Sequence, residues 1–439
     1  GCPRSLCGPS RRMSAKPLLP SKSASGLDEV GSSVPATVVN LLKNMVGAGL
    51  LNVCIAFHYA SVLGGVLIMV FSAFVCTAGF LLIGFACAKT GSKTFRALWH
   101  SSIGKSSEKV VDVVLFFHTL FSCVGYITMI GDFSVKSCSG LFPGSAFARR
   151  RELSIYVITA VAIFPLSLYK NLDSLKNTSV VGLAITAFSC LYVFYDVVAH
   201  REAYGALENI TENLWYVRPD MFKTLALFNG SFSAHYNAPT YYAELRDRSF
   251  AKFAKVTLYS FGIATALFTA FGIAGFARFG DEVLGNVLKS YSPDDPMVQL
   301  SWFFMMVSTV FNFPHAFQRM RTSFNALRNR RAHSDFLVTT CGLLGLSLYM
   351  GVAFQDIAVI KMIKGATLGV SIMFIFPALI YLSLSSQEIA AEGNGAGGAD
   401  PDGKLRREPR QLLRALCLLM LCSGFLQGAL ALMVHFKLI

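Results

Sequence analysis

Long apolar runs separated by short polar segments account for most of this chain. An α-helix rises about 1.5 Å per residue, so about 20 apolar residues cross the roughly 30 Å hydrocarbon core of a bilayer. We therefore predict an all-α integral membrane protein with eleven transmembrane helices. The eleven runs lie at 34–59, 62–88, 110–135, 153–169, 177–199, 221–244, 256–277, 297–318, 336–354, 357–383 and 413–435.

The first of these runs is interrupted near its middle. Residues 44–52 read NMVGAGLLN, with Lys43 directly before the asparagine and with Gly47 and Gly49 two positions apart. A glycine in a helix interior costs about 1 kcal/mol relative to alanine. We predict that the first helix breaks at residues 46–49.

The sixth run is interrupted in the same way. Within residues 222–245, the polar pair Asn229 and Gly230 precedes His235 and Pro239. Proline removes a backbone donor and clashes with the preceding helical turn. This segment is therefore predicted to unwind as well.

Two broken spans, five spans apart, are typical of secondary transporters built from two inverted repeats. Unwound backbone inside a bilayer is tolerated where it lines a cavity or meets a ligand, and the exposed helix ends attract carboxylates and cations. The alternative is a pair of plain kinks whose glycines let neighbouring helices pack closely. The predicted substrate-binding residues are Met45, Val46, Gly47, Ala48, Gly49, Ser231, Phe232, Ser233, Ala234, His235 and Tyr236.

The net charge of +14 allows two interpretations, a nucleic-acid-binding surface or basic cytoplasmic loops. Most of the 39 lysines and arginines fall on one side when the N-terminus is placed in the cytoplasm. This asymmetry favours a multi-pass protein with a cytoplasmic N-terminus and no nucleic-acid partner. The basic stretch 149–151 is an exception, and Asn209 in an outer loop begins a glycosylation acceptor sequence.

Composition and span positions divide the chain into four parts. We predict a disordered basic cytoplasmic tail at 1–33 and a transporter core of ten spans at 34–383. A glycine-rich cytoplasmic linker follows at 384–412, and the eleventh span with the C-terminus occupies 413–439.

Four segments resemble the amino acid/auxin permease family, and in particular its sodium-coupled neutral amino acid transporters, within the amino acid–polyamine–organocation superfamily. They are NLLKNMVGAGLLNVCIAF in the first span, SFSAHYNAPTYYAEL in the sixth, FNFPHAF in the eighth and IKGATLGVSIMFIFPALIYL in the tenth. The resemblance implies a LeuT-type fold with inverted repeats at 34–199 and 221–383, plus one extra helix.

The same resemblance suggests a sodium site. Asn44 matches the first-span asparagine that the family associates with sodium, and Ser308 and Thr309 offer hydroxyls in the eighth span. Lys43 departs from the family pattern, because a small residue is usual there. If the Lys43 side chain turns inward, its ammonium can occupy the place of a bound cation. Coupling to sodium and coupling to protons are therefore both kept as alternatives.

Other polar residues within the spans have two interpretations each. His235 either binds substrate or carries a proton, or it is a neutral histidine bonded to a backbone carbonyl. Tyr126 either faces the substrate or packs in the bundle. Lys361 and Lys364 are unusual in the tenth span, and we predict that they extend to the outer membrane surface.

The favoured function is secondary active transport of amino acids, with neutral ones implied by the resemblance, driven by sodium or protons. An amino acid sensor on the same scaffold is the alternative. The sequence contains no phosphate-binding loop, zinc motif or nucleophile elbow, so we predict a non-enzyme without a cofactor other than the coupling ion. We expect a monomer surrounded by lipid, in the plasma membrane or in a vacuolar or lysosomal membrane.

Overall fold

The computed structural model describes residues 31–169, 176–328, 335–393 and 403–438. These residues are almost entirely helical, and within the described ranges the only β contact is a single bridge between Ser32 and Leu245. The helices are α1 Val34–Leu50, α2 Val53–Ala60, α3 Val62–Thr90, α4 Phe95–Ser102, α5 Glu108–Leu141, α6 Ala146–Arg149, α7 Arg151–Ile158, α8 Phe164–Ser167, α9 Lys176–Ala199, α10 Ala206–Glu212, α11 Met221–Ser231, α12 Ala238–Glu244, α13 Phe250–Phe279, α14 Pro296–Leu327, α15 Phe336–Ala353, α16 Ile357–Lys364, α17 Phe376–Gly393 and α18 Gly403–His435.

Six helical stretches in the described part of the chain are long and apolar enough to cross a membrane. The first and sixth predicted runs are not among them, because α1 and α2, and likewise α11 and α12, are too short on their own. The chain is thus a membrane protein with several apolar helices. The six stretches are Val62–Thr90, Glu108–Gly140, Phe250–Glu282, Phe336–Ala353, Ile357–Ala390 and Arg410–His435.

Both predicted helix breaks are confirmed. In the first run, Gly47 has the non-helical angles φ −46° and ψ −111°, and α1 gives way to α2 at residues 51–52. In the sixth run, α11 ends at Ser231 and α12 begins at Ala238, with a short 3₁₀ turn at His235–Asn237 between them.

The tenth run has a further irregularity that the sequence did not indicate. Between α16 and α17 the chain forms two π-helical turns, Gly365–Gly369 and Ser371–Ile375. Such wide turns are frequent at functional sites, since they rotate the side chains that precede them relative to those that follow.

Glycines allow the interrupted helices to approach their neighbours closely. A Cβ on Gly365 would overlap the carbonyl oxygen of Ala226 in α11, and a Cβ on Gly79 in α3 would overlap that of Met373. Lipid provides no hydrophobic drive for helix association, so close backbone packing of this kind is a main source of stability. The π-helical part of the tenth run is therefore clamped between α3 and α11.

Aromatic rings fill the space around the sixth run. Phe80 stacks on Phe253 with ring centroids 5.3 Å apart, and Phe232 stacks on Phe261 at 5.8 Å. All four rings are buried. Contacts of this type contribute about 0.5–1.5 kcal/mol each beyond the area that they bury, so they hold the unwound segment in place.

Helices extend into both ends of the predicted linker 384–412. There α17 continues to Gly393 and α18 begins at Gly403. The tail 1–33 lies mostly outside the described residues. At its end, however, Ser32 exchanges backbone hydrogen bonds with Glu244 and Arg246, so this part is paired with the end of α12.

The clamp on the tenth run predicts a large difference between two glycine-to-alanine substitutions. Gly79→Ala should destabilise the protein by about 1–3 kcal/mol, because the new methyl group overlaps backbone that has no room to move. Thermal unfolding of the detergent-purified protein measures this change. Gly262→Ala in α13 is the control, since its Cβ meets no atom within 4 Å, and it should leave the midpoint unchanged or higher. Equal midpoints for the two variants would contradict the close contact.

Candidate functional site

A central cavity lies where the two helix breaks face each other. Its walls come from α1, α5, the α11–α12 break and α16, and the residues that line it are Asn44, Met45, Gly49, Phe121, Ser122, Gly125, Tyr126, Met129, Gly230, Ser231, Ser233, Tyr236, Ile357, Ile360, Lys361 and Lys364. Hydroxyl, amide and ammonium groups alternate there with apolar side chains. This mixture is typical of a site for a small polar molecule.

The two breaks are joined directly by a hydrogen bond. The Ser231 hydroxyl lies 3.1 Å from the carbonyl oxygen of Gly49 and 3.0 Å from that of Leu227, so it bonds to backbone on both α1 and α11. A Cβ on Gly49 would lie 3.3 Å from the carbonyl oxygen of Ser231. Only a glycine leaves the two chains this close without displacement.

The predicted substrate-binding residues separate into two groups. Those on the cavity wall are Met45, Gly49, Ser231, Ser233, Tyr236 and Tyr126, while Gly47 lines an adjoining cavity. Those whose side chains lie away from both cavities are Val46, Phe232, Ala234 and His235. The side chain of Ala48 is outside the described part of the chain. For the second group, only backbone atoms remain available to a substrate.

His235 is held in the scaffold. Its Nε2 atom is 2.7 Å from the carbonyl oxygen of Cys76 in α3, and its ring packs edge-on against Phe80 and Phe261. The side chain is completely buried on the far side of the unwound segment. This geometry matches the interpretation of a histidine bonded to a backbone carbonyl.

The prediction that Lys361 and Lys364 reach the outer membrane surface is wrong. Both residues line the central cavity, and the Lys364 ammonium donates to the Ser122 hydroxyl at 2.8 Å. The lysines lie three residues apart in the last turn of α16, directly before the π-helical turns. Packing of α16 against α11 turns this face inward, and long side chains cannot extend out of a bundle interior.

Two residues outside the predicted set also belong to the site. Ser122 bonds Lys364, and His118 in α5 lies 3.1 Å from the hydroxyl of Ser233 through its Nε2 atom. The His118 ring also packs against Tyr236 with centroids 5.1 Å apart. His118 therefore fixes the orientation of two cavity residues from behind the wall.

The predicted sodium ligands occupy neighbouring but different surroundings. Asn44 lies on the cavity wall, and its Oδ1 atom accepts from the Tyr236 hydroxyl at 3.3 Å. Thr309 is buried and donates to the carbonyl oxygen of Met305 at 2.6 Å. A Cβ on Gly182 in α9 would touch both Ser308 Oγ and Lys43 Cε, so the Lys43 side chain extends to the same place as Ser308. The sodium site stays a prediction.

A second cavity continues from the first toward the N-terminal half of α1. The two share Asn44, Tyr126 and Tyr236, and the second is also lined by Lys43, Glu244, Asn312, His315 and Arg319. These residues come from the N-terminal half of α1, from α12 and from the C-terminal half of α14. They lie on the side that the charge distribution assigns to the cytoplasm.

A group of ion pairs connects neighbouring elements on the opposite side. The Asp132 carboxylate in α5 is 3.1 Å from Arg151 Nε and 3.1 Å from Lys289 Nζ, and its side chain is only 6% exposed. Arg151 also lies 3.3 Å from the carbonyl oxygen of Thr128 and 3.4 Å from that of Gly351. One member of the basic stretch 149–151 is thus used to tie α5, α7 and α15 together.

Asn209 has a structural contact of its own. Its Nδ2 atom, to which a glycan would be attached, donates to the carbonyl oxygen of Ala277 at 2.9 Å. A Cβ on Gly280 would lie 2.8 Å from Asn209 Oδ1, so the amide is wedged against the end of α13. Glycosylation of Asn209 stays a prediction, and a glycan would have to displace this contact.

Comparisons with known proteins agree on a family. The sequence pattern described as "Transmembrane amino acid transporter protein" matches residues 30–394. A zebrafish (Danio rerio) protein named "Putative sodium-coupled neutral amino acid transporter 11" is 22% identical over 81% of this chain and 80% of its own length. "Vacuolar amino acid transporter 7" of Saccharomyces cerevisiae is 29% identical over 68% of this chain and 60% of its own. Human "Solute carrier family 38 member 8" is 26% identical over 70% of each.

Gly125 offers a direct test of the central cavity. A Cβ at this position would have only Ile357 and Ile360 nearby, each 4.0 Å away, so added bulk projects into the cavity rather than into packed atoms. Gly125→Leu should reduce amino acid uptake by on the order of 100-fold, because a displaced ligand is held in the wrong position. The thermal midpoint should stay within the range of the lipid-facing control Gly262→Leu. Uptake by Gly125→Leu at the control's rate would place the binding site elsewhere.

Proposed function

The chain belongs to the transmembrane amino acid transporter family, and we propose that it is a secondary active transporter that carries amino acids through the central cavity. The observation that carries this proposal is the meeting of two broken spans at one polar cavity, with Ser231 bonded to Gly49 across the gap. Exposed backbone at that depth requires a ligand or a cavity to satisfy it.

We propose a LeuT-type arrangement of eleven spans for this chain. The spans are α1–α2, α3, α5, α7–α8, α9, α11–α12, α13, α14, α15, α16–α17 and α18. Residues 34–199 and 221–383 then form two inverted repeats of five spans, and α18 is the extra one. The position of a broken helix at the start of each repeat supports this assignment.

The ends of the broken helices suggest how the common part of an amino acid binds. Amide groups that follow the break at Gly47 favour a carboxylate, while the C-terminal carbonyls of α11 near Ser231 favour an ammonium group. Asn44 supports the same orientation, because its buried Nδ2 atom has no hydrogen-bond partner among the described residues. The α-carboxylate and α-ammonium groups of any amino acid would be recognised in this way.

We propose that the protein works by alternating access and that the structure corresponds to its inward-open form. The continuous cavities on the side of the α1 N-terminus support an open cytoplasmic pathway. The ion pairs of Asp132 with Arg151 and Lys289 support a closed outer side. Opening to the outside would then require these pairs to separate.

We propose sodium as the coupling ion, bound near Asn44, Ser308 and Thr309. The three side chains supply neutral oxygens, which are the ligands that hard cations prefer. Lys43 reaches the same place as Ser308, so its ammonium would compete with a bound cation. His235 is a poor candidate for a proton carrier because its side chain does not reach either cavity.

Uptake into proteoliposomes tests the function and the ion together. Amino acids from a radiolabelled panel should accumulate when sodium is supplied outside, and accumulation should cease when choline replaces sodium at constant pH. Asn44→Ala should raise the sodium concentration needed for half-maximal uptake, whereas Lys43→Gln should lower it because a competing charge is removed.

Two other results would change the proposed coupling ion or the proposed function. Uptake that persists in choline and collapses with a protonophore would replace sodium by protons. Binding of an amino acid without measurable accumulation would point to a sensor instead of a transporter.

The outer ion pairs generate a separate prediction about access. In a Cys138→Ser background, Met129→Cys on the cavity wall should react slowly with a membrane-impermeant thiol reagent added outside. Adding Asp132→Asn should raise this rate by at least about tenfold, because a buried ion pair that loses one partner no longer holds the closed state. Asp220→Asn is the control, since its pair with Lys223 lies within one helical turn and joins no separate elements. Equal rates in both variants would contradict a gate at Asp132.

A further inference from the structure

Three cavities meet at the side chain of Tyr236. This residue follows the second helix break, and it lines the central cavity, the second cavity and a third cavity between α4, α5, α12 and α14. Its hydroxyl donates to Asn44 Oδ1 at 3.3 Å, and the His118 ring packs against its own ring. The second and third cavities lie on the side that the charge distribution assigns to the cytoplasm, and we call them the cytoplasmic cavities. A molecule that leaves the central cavity in this direction passes Tyr236.

One face of α14 borders this route. His315 and Arg319 are four residues apart, so they lie one helical turn from each other on the same side of the helix. Both residues line both cytoplasmic cavities. Asn312, nearly one turn before His315, continues the same face in the second cavity. The helix therefore presents polar side chains along the route from Tyr236 to the cytoplasm.

Arg319 brings a permanent positive charge to this face. Its guanidinium carbon lies 5.4 Å from the centroid of the Tyr236 ring. Asp112 also lines the third cavity, but it is paired with Arg96 at 2.6 Å. Among the described residues, neither an ion pair nor a hydrogen bond engages the N–H groups of Arg319. A guanidinium that contacts a ring through its face keeps its donors at the edge, so these donors are available to a ligand in the cytoplasmic cavities.

His315 provides a second and independent indication of a ligand. Its Nε2 atom is buried and has no hydrogen-bond partner among the residues that the structure describes. Buried polar atoms ordinarily have a partner, and a neutral imidazole with its proton on Nε2 donates one hydrogen bond. The guanidinium of Arg319 and this nitrogen together suit the two oxygens of a carboxylate.

We infer that Arg319 and His315 form a second, cytoplasmic site for the carboxylate of the transported amino acid, which the substrate reaches after it passes Tyr236. This inference rests on the proposed transport function. Charge-assisted hydrogen bonds to Arg319 would take over the carboxylate as it leaves the helix breaks. The cytoplasmic site thus serves release to the cytoplasm and capture from it, while substrate from outside meets the central cavity first.

Transport measured from each side of the membrane separates this site from the central one. The probes are alanine and glutamine, in vesicles of known orientation. Arg319→Met should raise the cytoplasmic concentration needed for half-maximal transport by at least about tenfold, because a charge-assisted bond is lost. The external value should stay within about twofold of the wild type. Arg319→Lys keeps the charge without the planar fork and should give an intermediate cytoplasmic value.

Arg328→Met is the matched control. Arg328 directly follows α14, and its guanidinium carbon is also 5.4 Å from the centroid of an aromatic ring, that of Phe324. It lines neither cytoplasmic cavity. The substitution removes the same type of ring contact, so it should leave the half-maximal concentrations on both sides at the wild-type values.

N-acetylalanine tests the site in the wild type and without measuring transport kinetics of a variant. It keeps the carboxylate of an amino acid but has no ammonium group. On the cytoplasmic side of wild-type vesicles it should inhibit alanine transport, whereas the same concentration outside should not. In detergent, it should raise the thermal midpoint of the wild type and of Arg328→Met, but not that of Arg319→Met.

The possible failures can be told apart. Equal inhibition by N-acetylalanine from both sides would overturn the inference and leave the transport function standing, because the carboxylate would then bind in the central cavity. An unchanged cytoplasmic value in Arg319→Met, or an equal rise on both sides, would overturn it in the same way. Absence of transport for every amino acid tested would overturn the transport function together with the inference.

Discussion

Backbone polar groups inside a bilayer have no water to bond, and this constraint shapes the centre of the molecule. A helix can be interrupted there only where another group takes the place of the missing intrahelical partner. Here the partners come from neighbouring elements: the Ser231 hydroxyl donates to the Gly49 carbonyl at 3.1 Å, and the Val287 amide donates to the Leu51 carbonyl at 3.1 Å. The broken part of the first run is therefore held in place, because α11 and the segment after α13 donate hydrogen bonds to its backbone carbonyls.

The same requirement explains why close packing is concentrated around the tenth run. A helix with π-helical turns is wider than an α-helix, so it needs neighbours without side chains at the points of contact. Gly79 provides such a point on α3, and Gly428 provides another on α18, where a Cβ would overlap the carbonyl oxygen of Ala366. The extra helix α18 therefore supports the site from behind. Its Gln427 also accepts from Asn229 Nδ2 of α11 at 3.2 Å, which links it to the second break.

Much of this arrangement was accessible from the sequence, but the direction of individual side chains was not. Glycine and proline grouped with polar residues in an apolar run indicate a break, and both breaks were located from Gly47, Gly230 and Pro239. In an unwound segment, however, no helical period relates neighbouring residues. Ser233 and His235 are two positions apart, yet one lines the cavity and the other bonds the backbone of α3 on the far side.

Lys361 and Lys364 show a second limit. A lysine in an apolar span ordinarily extends to the nearest polar surface, and that expectation holds when the helix borders lipid. It fails when packing turns the lysine face inward, and the packing in question depends on Gly230 and Gly365 in different spans. The number of spans is affected in the same way. Counting only continuous apolar helices leaves out the first and sixth runs, because each is divided into two short helices.

The central cavity has two kinds of wall, one formed by main chain at the helix breaks and one formed by side chains. The groups exposed by the breaks near Gly47 and Ser231 belong mostly to the main chain, so side-chain substitutions alter them little. The opposite wall consists of side chains on α5 and α16, and a single exchange there changes its charge. Family membership is therefore carried by the broken spans, while exchanges at positions such as 361 and 364 would change the polarity of the wall that faces them. In this chain, both of those positions are lysines on the cavity wall.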